Sequence, residues 1–359
     1  ETSIRYARME DLDAMLAESE AEWATALDRH QPRIAVLFED SFNYLSTMCL
    51  LRMRQAAMTM IAAAHTRGIP VVIAGSDATD HPSLYLDEGA AAVIAGEGEV
   101  TLVHVVEALE QGTDLATLDG VVVRRGHDLL RTRPRAIMRD LDVVPRPAWD
   151  LIDVDRYRAI WQRQHGTFSM NVATTRGCPY HCNWCAKPIY GQRYTARSAA
   201  AVAEEVAWLK ATHQPEHLWV TDDIFGLKPG WIAAFADVLA ARHAVTPFKC
   251  LMRADNVTRD GVAALRRAGC QTVWIGAESG SQRILDAMEK GTRVEQIESA
   301  SALLHDAGIE VCFFLQFGYP GETLADIEQT LAMIQLAPQI PAMIRPSASH
   351  HSPTRPRSQ

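Results

Sequence analysis

Apolar positions along this chain follow two rhythms in turn. Short continuous apolar runs of buried-strand type alternate with stretches whose apolar residues recur at helical spacing. Ile34 to Phe38 (IAVLF) is the first run. A turn, EDSFN, then leads into a helix predicted from about Leu45, with Leu50, Met53, Ala57, Met60 and Ala64 on one face and Gly68 at its end. Strand IPVVIAG, turn SDATDHP, a short helix ending at Gly89, strand AAVIAGEGE and helix TLVHVVEALEQG continue the alternation. Buried strands alternating with helices predict an α/β fold with a parallel sheet. Residues 1–31 read as a polar, acidic helix-like segment to which no role is assigned.

The rhythm breaks over residues 119–165. LDGVVVRRGHDLLRTRP predicts a hairpin turned at RGHD, Pro145 and Pro147 interrupt regular structure, and Trp149 and Leu151 are placed to pin a connector to a core. From Met170 the strand–loop–helix order resumes. MNVATT, HLWVTDD, FKCLMRAD, TVWIGAES and EVCFFLQF are predicted strands. The helices between them include one capped by Ser198, with Val202, Val206 and Leu209 on one face, and one beginning at Pro229, with Trp231, Phe235, Val238 and Leu239 inward. A further helix is predicted to start with a Thr292 to Glu295 capping box. Five βα units are visible, and no strand pattern resumes after Pro338. Parallel strands with right-handed crossovers close toward a barrel, with chemistry at the strands' carboxyl ends.

A length of 359 residues fits about two domains. No apolar run approaches the roughly 18 residues that span a bilayer, and no basic-then-apolar start resembles a signal peptide, so a cytoplasmic protein is expected. Seven cysteines, an odd count with three in one loop, fit a reducing compartment better than a disulfide framework. A net charge of -9 argues against nonspecific nucleic-acid binding. The chain begins at Glu1 and ends in SASHHSPTRPRSQ, so both ends are read as truncated. No Walker A, HExxH or GxSxG pattern supports a kinase, zinc-protease or hydrolase reading.

The chemistry concentrates in ATTRGCPYHCNWCA, where Cys178, Cys182 and Cys185 stand at C-x3-C-x2-C spacing. Thiolates suit zinc or iron–sulfur chemistry, and a closed structural site takes four ligands. Only three are close together; Cys250, Cys270 and Cys312 are scattered singly, and His181 within the loop is read as a spacer. Three thiolates on a four-iron, four-sulfur cube leave one iron open, which is a catalytic arrangement.

With Trp184 just before the last cysteine and the strand MNVATTRG before the first, this loop resembles the signature of the radical S-adenosylmethionine (SAM) enzymes. The resemblance implies a 4Fe-4S cluster whose open iron is chelated by SAM, and reductive cleavage of SAM to a 5′-deoxyadenosyl radical. It also implies SAM contacts for Trp184 in the loop and, by their places at strand ends, for Asp222, Asp223, Arg253, Glu278 and Gln316. Asp222 and Asp223 fit helix N-caps as well, and Arg253 fits a surface ion pair with Asp255. Arg197 stands at a helix start, within reach of an anion near the cluster or in solvent.

The preceding half resembles the cobalamin-binding domain of cobalamin-dependent radical SAM enzymes, with a GEGE-like turn at Gly96, Glu97, Gly98 and Glu99. That implies a cobalamin site including Ser41, Asn43, Gly75, Ser76, Asp77 and the four turn residues, although turn glycines and helix caps account for the same residues locally. The expected architecture is a partial Rossmann/flavodoxin-like cobalamin-binding domain over 1–118 and a connector over 119–165. A partial TIM-like (β/α)6 radical SAM barrel lacking its last strand follows over 166–338, then an irregular tail over 339–359. The family's first strand is expected to be missing from the middle of the first sheet, leaving strand edges unpaired, and the fragment is expected to bind cobalamin poorly. The implied activity is methylation of an unactivated carbon or phosphorus centre of a small-molecule substrate, with an external electron donor such as flavodoxin or ferredoxin. Radical cyclisation, oxygen insertion or rearrangement on the same scaffold is the alternative. An RNA methylthiotransferase and a non-catalytic iron–sulfur or zinc protein rank below both.

Overall fold

The structure, a computed structural model, describes residues 20–39, 50–185, 189–336 and 342–346. The chain divides into two compact units. Unit 1 comprises Glu1–Leu141, Pro145–Val154 and Ala186–Arg193; unit 2 comprises Asp142–Val144, Asp155–Cys185 and Tyr194–Gln359.

Unit 1 runs α1 (Glu20–His30), β1 (Ala35–Glu39), α2 (Leu50–His65), β2 (Val71–Gly75), α3 (Ser76–Asp80), α4 (Pro82–Asp87), β3 (Ala92–Ile94), α5 (Glu99–Gln111), β4 (Val121–Arg125) and β5 (Asp128–Arg131). Its sheet has the order β1-β2-β3-β4-β5, parallel across the first three strands and antiparallel at β4 and β5. Successive side chains of a strand point to opposite faces, and both faces of β2 are covered. Val71 and Ile73 enter a core with Trp23, Leu27, Ile61 and Tyr85, while Val72 and Ala74 enter another with Ile94, Val105 and Val121. That double burial is why IPVVIAG has no polar alternation.

Two expectations change here. β1 is covered on one face only: Ala35 and Leu37 are buried, but Val36 and Phe38 are 38% and 72% exposed. β1 stands at one end of the sheet, pairing with β2 from Ala35 opposite Val71 to Glu39 opposite Gly75 and with no second strand among the described residues. The hairpin assigned to a connector belongs to the first sheet, since Val121 and Val122 of β4 pair with Ile94 and Val93 of β3.

Unit 2 continues with α6 (Val154–His165), β6 (Ser169–Val172), β7 (Thr175–Arg176), β8 (Thr195–Ala196), α7 (Ala199–Thr212), β9 (His217–Val220), α8 (Trp231–Ala241), β10 (Phe248–Met252) and α9 (Arg259–Ala268). It ends with β11 (Cys270–Glu278), α10 (Gln282–Ala287), α11 (Val294–Asp306), β12 (Glu310–Phe317), α12 (Leu324–Leu336) and β13 (Ala342–Pro346). The main sheet is parallel throughout, in the order β6-β9-β10-β11-β12-β13. A sixth strand, expected to be missing, is therefore present: Ala342–Pro346 pairs with Phe313–Phe317. Its short MIRP run carries no alternation long enough to mark it in sequence, and the pairing with β12 defines it.

Burial alternates along β6, β9, β10 and most of β11, whereas Val311, Cys312 and Phe313 of β12 are buried in succession. Val172, Val220, Cys250, Val273, Ile275, Val311 and Phe313 are buried, whereas Asn171, Trp219, Leu251, Trp274 and Phe314 are half-buried or exposed. Ser198 caps α7 by accepting a hydrogen bond from Ala201 N at 3.1 Å, as its position predicts. The expected capping box of α11 shifts by one residue: Gln296 Oε1 accepts from Arg293 N at 2.8 Å, and the Thr292 hydroxyl accepts from Arg253 instead.

Candidate functional site

The three-cysteine loop leaves the carboxyl end of β6, and its first residues are fastened by the neighbouring strand. Asp222, just past β9, is buried and accepts hydrogen bonds from Thr174 N at 2.6 Å, Thr175 N at 2.9 Å and the Thr174 hydroxyl. Burial pushes its carboxyl up to about 6 despite the donors that favour the anion. Asp222 thus locks the strand-to-loop junction, and Asp223 beside it is half-buried. On the other side Arg197 donates its backbone N–H to Thr174 O at 2.9 Å. The Arg197 side chain reaches Ala173 O at 2.9 Å and the buried Glu205 carboxylate at 2.5 Å, so its anion is supplied by the chain itself.

Cys178 and Cys182 are half-buried thiols, Cys185 is an exposed one, and His181 is exposed. The far side of the loop is fastened through Asn183. Its N–H donates to Met288 O at 3.1 Å and its side-chain amide to Ala287 O at 2.8 Å. Tyr319 Oη lies 2.9 Å from Asn183 Oδ1 and 2.8 Å from Ala287 O. Among the described residues no three His, Cys, Asp or Glu side chains close around a single-ion site. The loop's all-thiol donor set fits an iron–sulfur cube, whose thiolates sit on separate corners rather than on one ion.

Two strand-end groups reach this loop, Arg253 directly and Glu278 through Lys290. Arg253, after β10, is buried and forks onto Asp255, with Nε to Oδ1 at 2.9 Å and Nη2 to Oδ2 at 3.1 Å. Arg253 is buried and Asp255 half-buried, which differs from the alternative reading of a surface ion pair. Glu278, ending β11, is buried in a left-handed conformation (φ 62°), and the β11–β12 register shifts between Gly276 and Glu278. Its Oε1 accepts from Lys290 Nζ at 2.9 Å, and both side chains are about equally buried. Lys290 Nζ also lies 5.8 Å from the Trp184 ring centroid. Gly276 makes room for this pair, since a Cβ there would stand 2.8 Å from Lys290 Nζ and 2.9 Å from Glu278 Oε1. Gln316 Oε1 and Trp184 Nε1 are buried atoms with no hydrogen-bond partner among the described residues. A buried donor or acceptor left open in this way is what a polar ligand would satisfy.

Sequence reasoning passed over Lys290, Tyr180, Asn183 and Tyr319. Their partners lie from 12 to 136 residues away along the chain, so no local spacing marks them. The loop MEKGT carried one usable signal, a lone lysine between two helices and next to a glycine.

In unit 1 the loops after β2 and β3 carry the other predicted residues. Asp77 is buried and engaged by Arg54 at 2.6 and 2.7 Å and by the Tyr85 hydroxyl at 2.5 Å. Desolvation opposes the anion, but these donors outweigh it and hold the Asp77 carboxyl below its usual range. Glu97 Oε2 accepts from Met138 N at 2.7 Å, Gly98 precedes α5, and Glu99 opens that helix on the surface. Ser76 begins α3 directly after Gly75. Asp77 and Glu97 are therefore occupied internally, while Gly75 is buried and Gly96 and Gly98 are half-buried. Gly96 has φ 94°, and a Cβ there would stand 3.6 Å from Ile189 O. Ser41 and Asn43 lie outside the described residues.

Residues 172–334 match the Radical SAM superfamily. An uncharacterised methyltransferase of Pyrococcus horikoshii is 28% identical over 264 residues, covering 73% of this chain and 56% of that protein. The anaerobic magnesium-protoporphyrin IX monomethyl ester cyclase of Synechocystis is 28% identical over 60% of this chain and 43% of its own length. The chain thus spans about half the length of these curated relatives. Among solved structures, the radical SAM methyltransferase TsrM from Kitasatospora setae, with cobalamin and a 4Fe-4S cluster bound, superposes with a TM-score of 0.71 at 20% identity. It covers 90% of this chain and 64% of its own. The cobalamin-dependent radical SAM enzyme OxsB gives 0.71 at 19% identity, over 90% of this chain and 47% of its own. These likenesses establish the fold. No helix among the described residues is long and apolar enough to cross a membrane.

Proposed function

We propose, for a chain whose residues 172–334 match the Radical SAM superfamily, an enzyme in which Cys178, Cys182 and Cys185 hold a 4Fe-4S cluster and unit 1 holds cobalamin. Its reaction is methylation of an unactivated carbon or phosphorus centre of a small molecule. One observation carries the reading: a loop with three thiols and no fourth sulfur close in sequence, fixed at both ends on the carboxyl side of a six-stranded parallel sheet. When bound, the cofactors would supply one-electron cleavage of the SAM sulfonium and delivery of a methyl group.

The chain's own residues hold and orient. Asp222 fixes the start of the loop, and Asn183 with Tyr319 fixes its far side, so that the cysteines are presented by a rigid backbone. Trp184 Nε1 offers a donor and Gln316 Oε1 an acceptor to SAM. Lys290 orients Glu278, leaving its second oxygen to accept a hydroxyl hydrogen bond. Asp223 is the second candidate acceptor. In unit 1 the backbones of Gly75, Gly96 and Gly98 serve cobalamin. Electrons come from an external donor of the flavodoxin or ferredoxin kind.

Two relatives named for methyl transfer and cyclisation support this reading and its alternative about equally by identity. The products separate them: S-adenosylhomocysteine beside 5′-deoxyadenosine indicates methyl transfer, and 5′-deoxyadenosine alone indicates radical ring closure. The first test is anaerobic reconstitution with iron and sulfide, followed by electron paramagnetic resonance of the reduced protein. A four-iron signal that changes on adding SAM is the expected result. A signal indifferent to SAM, or bound zinc, would overturn the proposal.

A further inference from the structure

We infer that Arg253 is a positioning residue for the cluster loop: with Asp255 behind it, its guanidinium bears on Cys182 and raises the reduction potential of a cluster bound there. This rests on the four-iron reading above. A role toward the SAM carboxylate would need two free N–H groups side by side, as a bidentate fork requires. The structure engages the fork otherwise. Nε and Nη2 face Asp255, and Nη2 also donates to Lys290 O at 2.8 Å and Thr292 Oγ1 at 2.9 Å. Nη1, at the opposite corner, points to Cys182 Sγ at 3.9 Å. The flat face of the guanidinium covers the Tyr180 ring, 3.6 Å from its centroid.

These partners come from three segments of the chain. Tyr180 and Cys182 belong to the cysteine loop, Asp255 follows β10, and Lys290 and Thr292 join α10 to α11. One planar group with five donors ties all three, which a lysine's point charge does not do. Arg253 is only 4% exposed, so water does little to screen it. The Arg253–Asp255 pair carries no net charge, but it is oriented. Its positive end lies against the sulfur and its carboxylate on the far side. Reduction adds an electron to a cluster already carrying thiolate charge, and a fixed positive end beside one sulfur favours the reduced form.

The test loads the full chain anaerobically, measures iron and sulfide, and follows a dithionite titration by electron paramagnetic resonance. Arg253→Gln is combined with Asp255→Asn so that no buried carboxylate loses its partner; Arg253→Lys is the conservative companion. At the wild-type midpoint the reduced-to-oxidised ratio should fall about tenfold in the double variant, or about 59 mV for one electron. Arg253→Lys, which keeps charge without the fork, should fall between, and it carries the test alone if the double variant does not retain iron. SAM affinity, read from its effect on the reduced signal, should change less than the potential does. A full cluster with an unchanged potential overturns the inference, as does a loss of SAM affinity at constant potential. A wild-type chain that assembles no four-iron cluster overturns the proposed function and this inference together.

Discussion

Asp222 shows how one residue takes a role its position only partly announces. Its place at the end of a strand suggested a ligand contact or a helix cap. The fold turns its carboxylate back onto Thr174 and Thr175 of the adjacent strand end, where it is fully buried. Burial raises its pKa from 3.8 to about 6, so the folded state favours the protonated form. The resulting stability is complete below the unfolded pKa and is lost as pH rises through the folded one. Asp222→Asn keeps an acceptor for the two N–H groups and removes the titration. Between pH 4 and pH 7, urea unfolding should show the wild type losing about 2 kcal/mol relative to this variant. Equal pH profiles for the two proteins would show that Asp222 stays ionised in the fold.

At the scale of elements, the end of β11 is where local rules yield to packing. The register shift before Glu278 and its left-handed backbone swing the carboxylate toward Lys290, a residue on another loop. Two residues on, Gly280 lies against α12. Its N–H donates to Thr330 Oγ1 at 2.9 Å, and a Cβ at this position would stand 2.6 Å from both Gln329 O and Thr330 Cα. Backbone cannot yield as a flexible side chain can. Gly280→Ala should therefore cost about 1–3 kcal/mol in unfolding free energy, from overpacking of α12. A substitution within about 0.5 kcal/mol of wild type would mean that α12 moves freely against the sheet. Truncating Lys290 to Met should be costlier, about 3–5 kcal/mol, because Glu278 would remain as a buried charge without its partner. The variant Lys290→Met with Glu278→Gln should recover much of that loss.

For the whole molecule, the division into two compact units predicts that stability and ligands act on one unit at a time. Cluster and SAM bind residues of unit 2 in the proposed reading, so they should raise the melting transition of that unit by mass action. Arg54→Ala leaves Asp77 of unit 1 buried without its cation and should lower the other transition. Scanning calorimetry of the loaded full chain resolves the two responses. A single transition that shifts equally in both experiments would show one cooperative unit instead.

The sequence by itself determined the strand and helix alternation, the parallel sheets and the three-cysteine loop. Each of these is written in short-range spacing, which apolar burial and metal ligation read directly. It also marked Asp222, Arg253, Glu278 and Gln316 as strand-end residues, without saying toward what each side chain turns. The tertiary structure alone decided the rest. It paired β1 with β2, drew the hairpin into the first sheet and added β13 to the second. It also joined Lys290 to Glu278 and Arg253 to Cys182. The physical reason is range: strand pairing and buried charge pairing join segments distant in sequence, and only the packed fold brings their partners within reach.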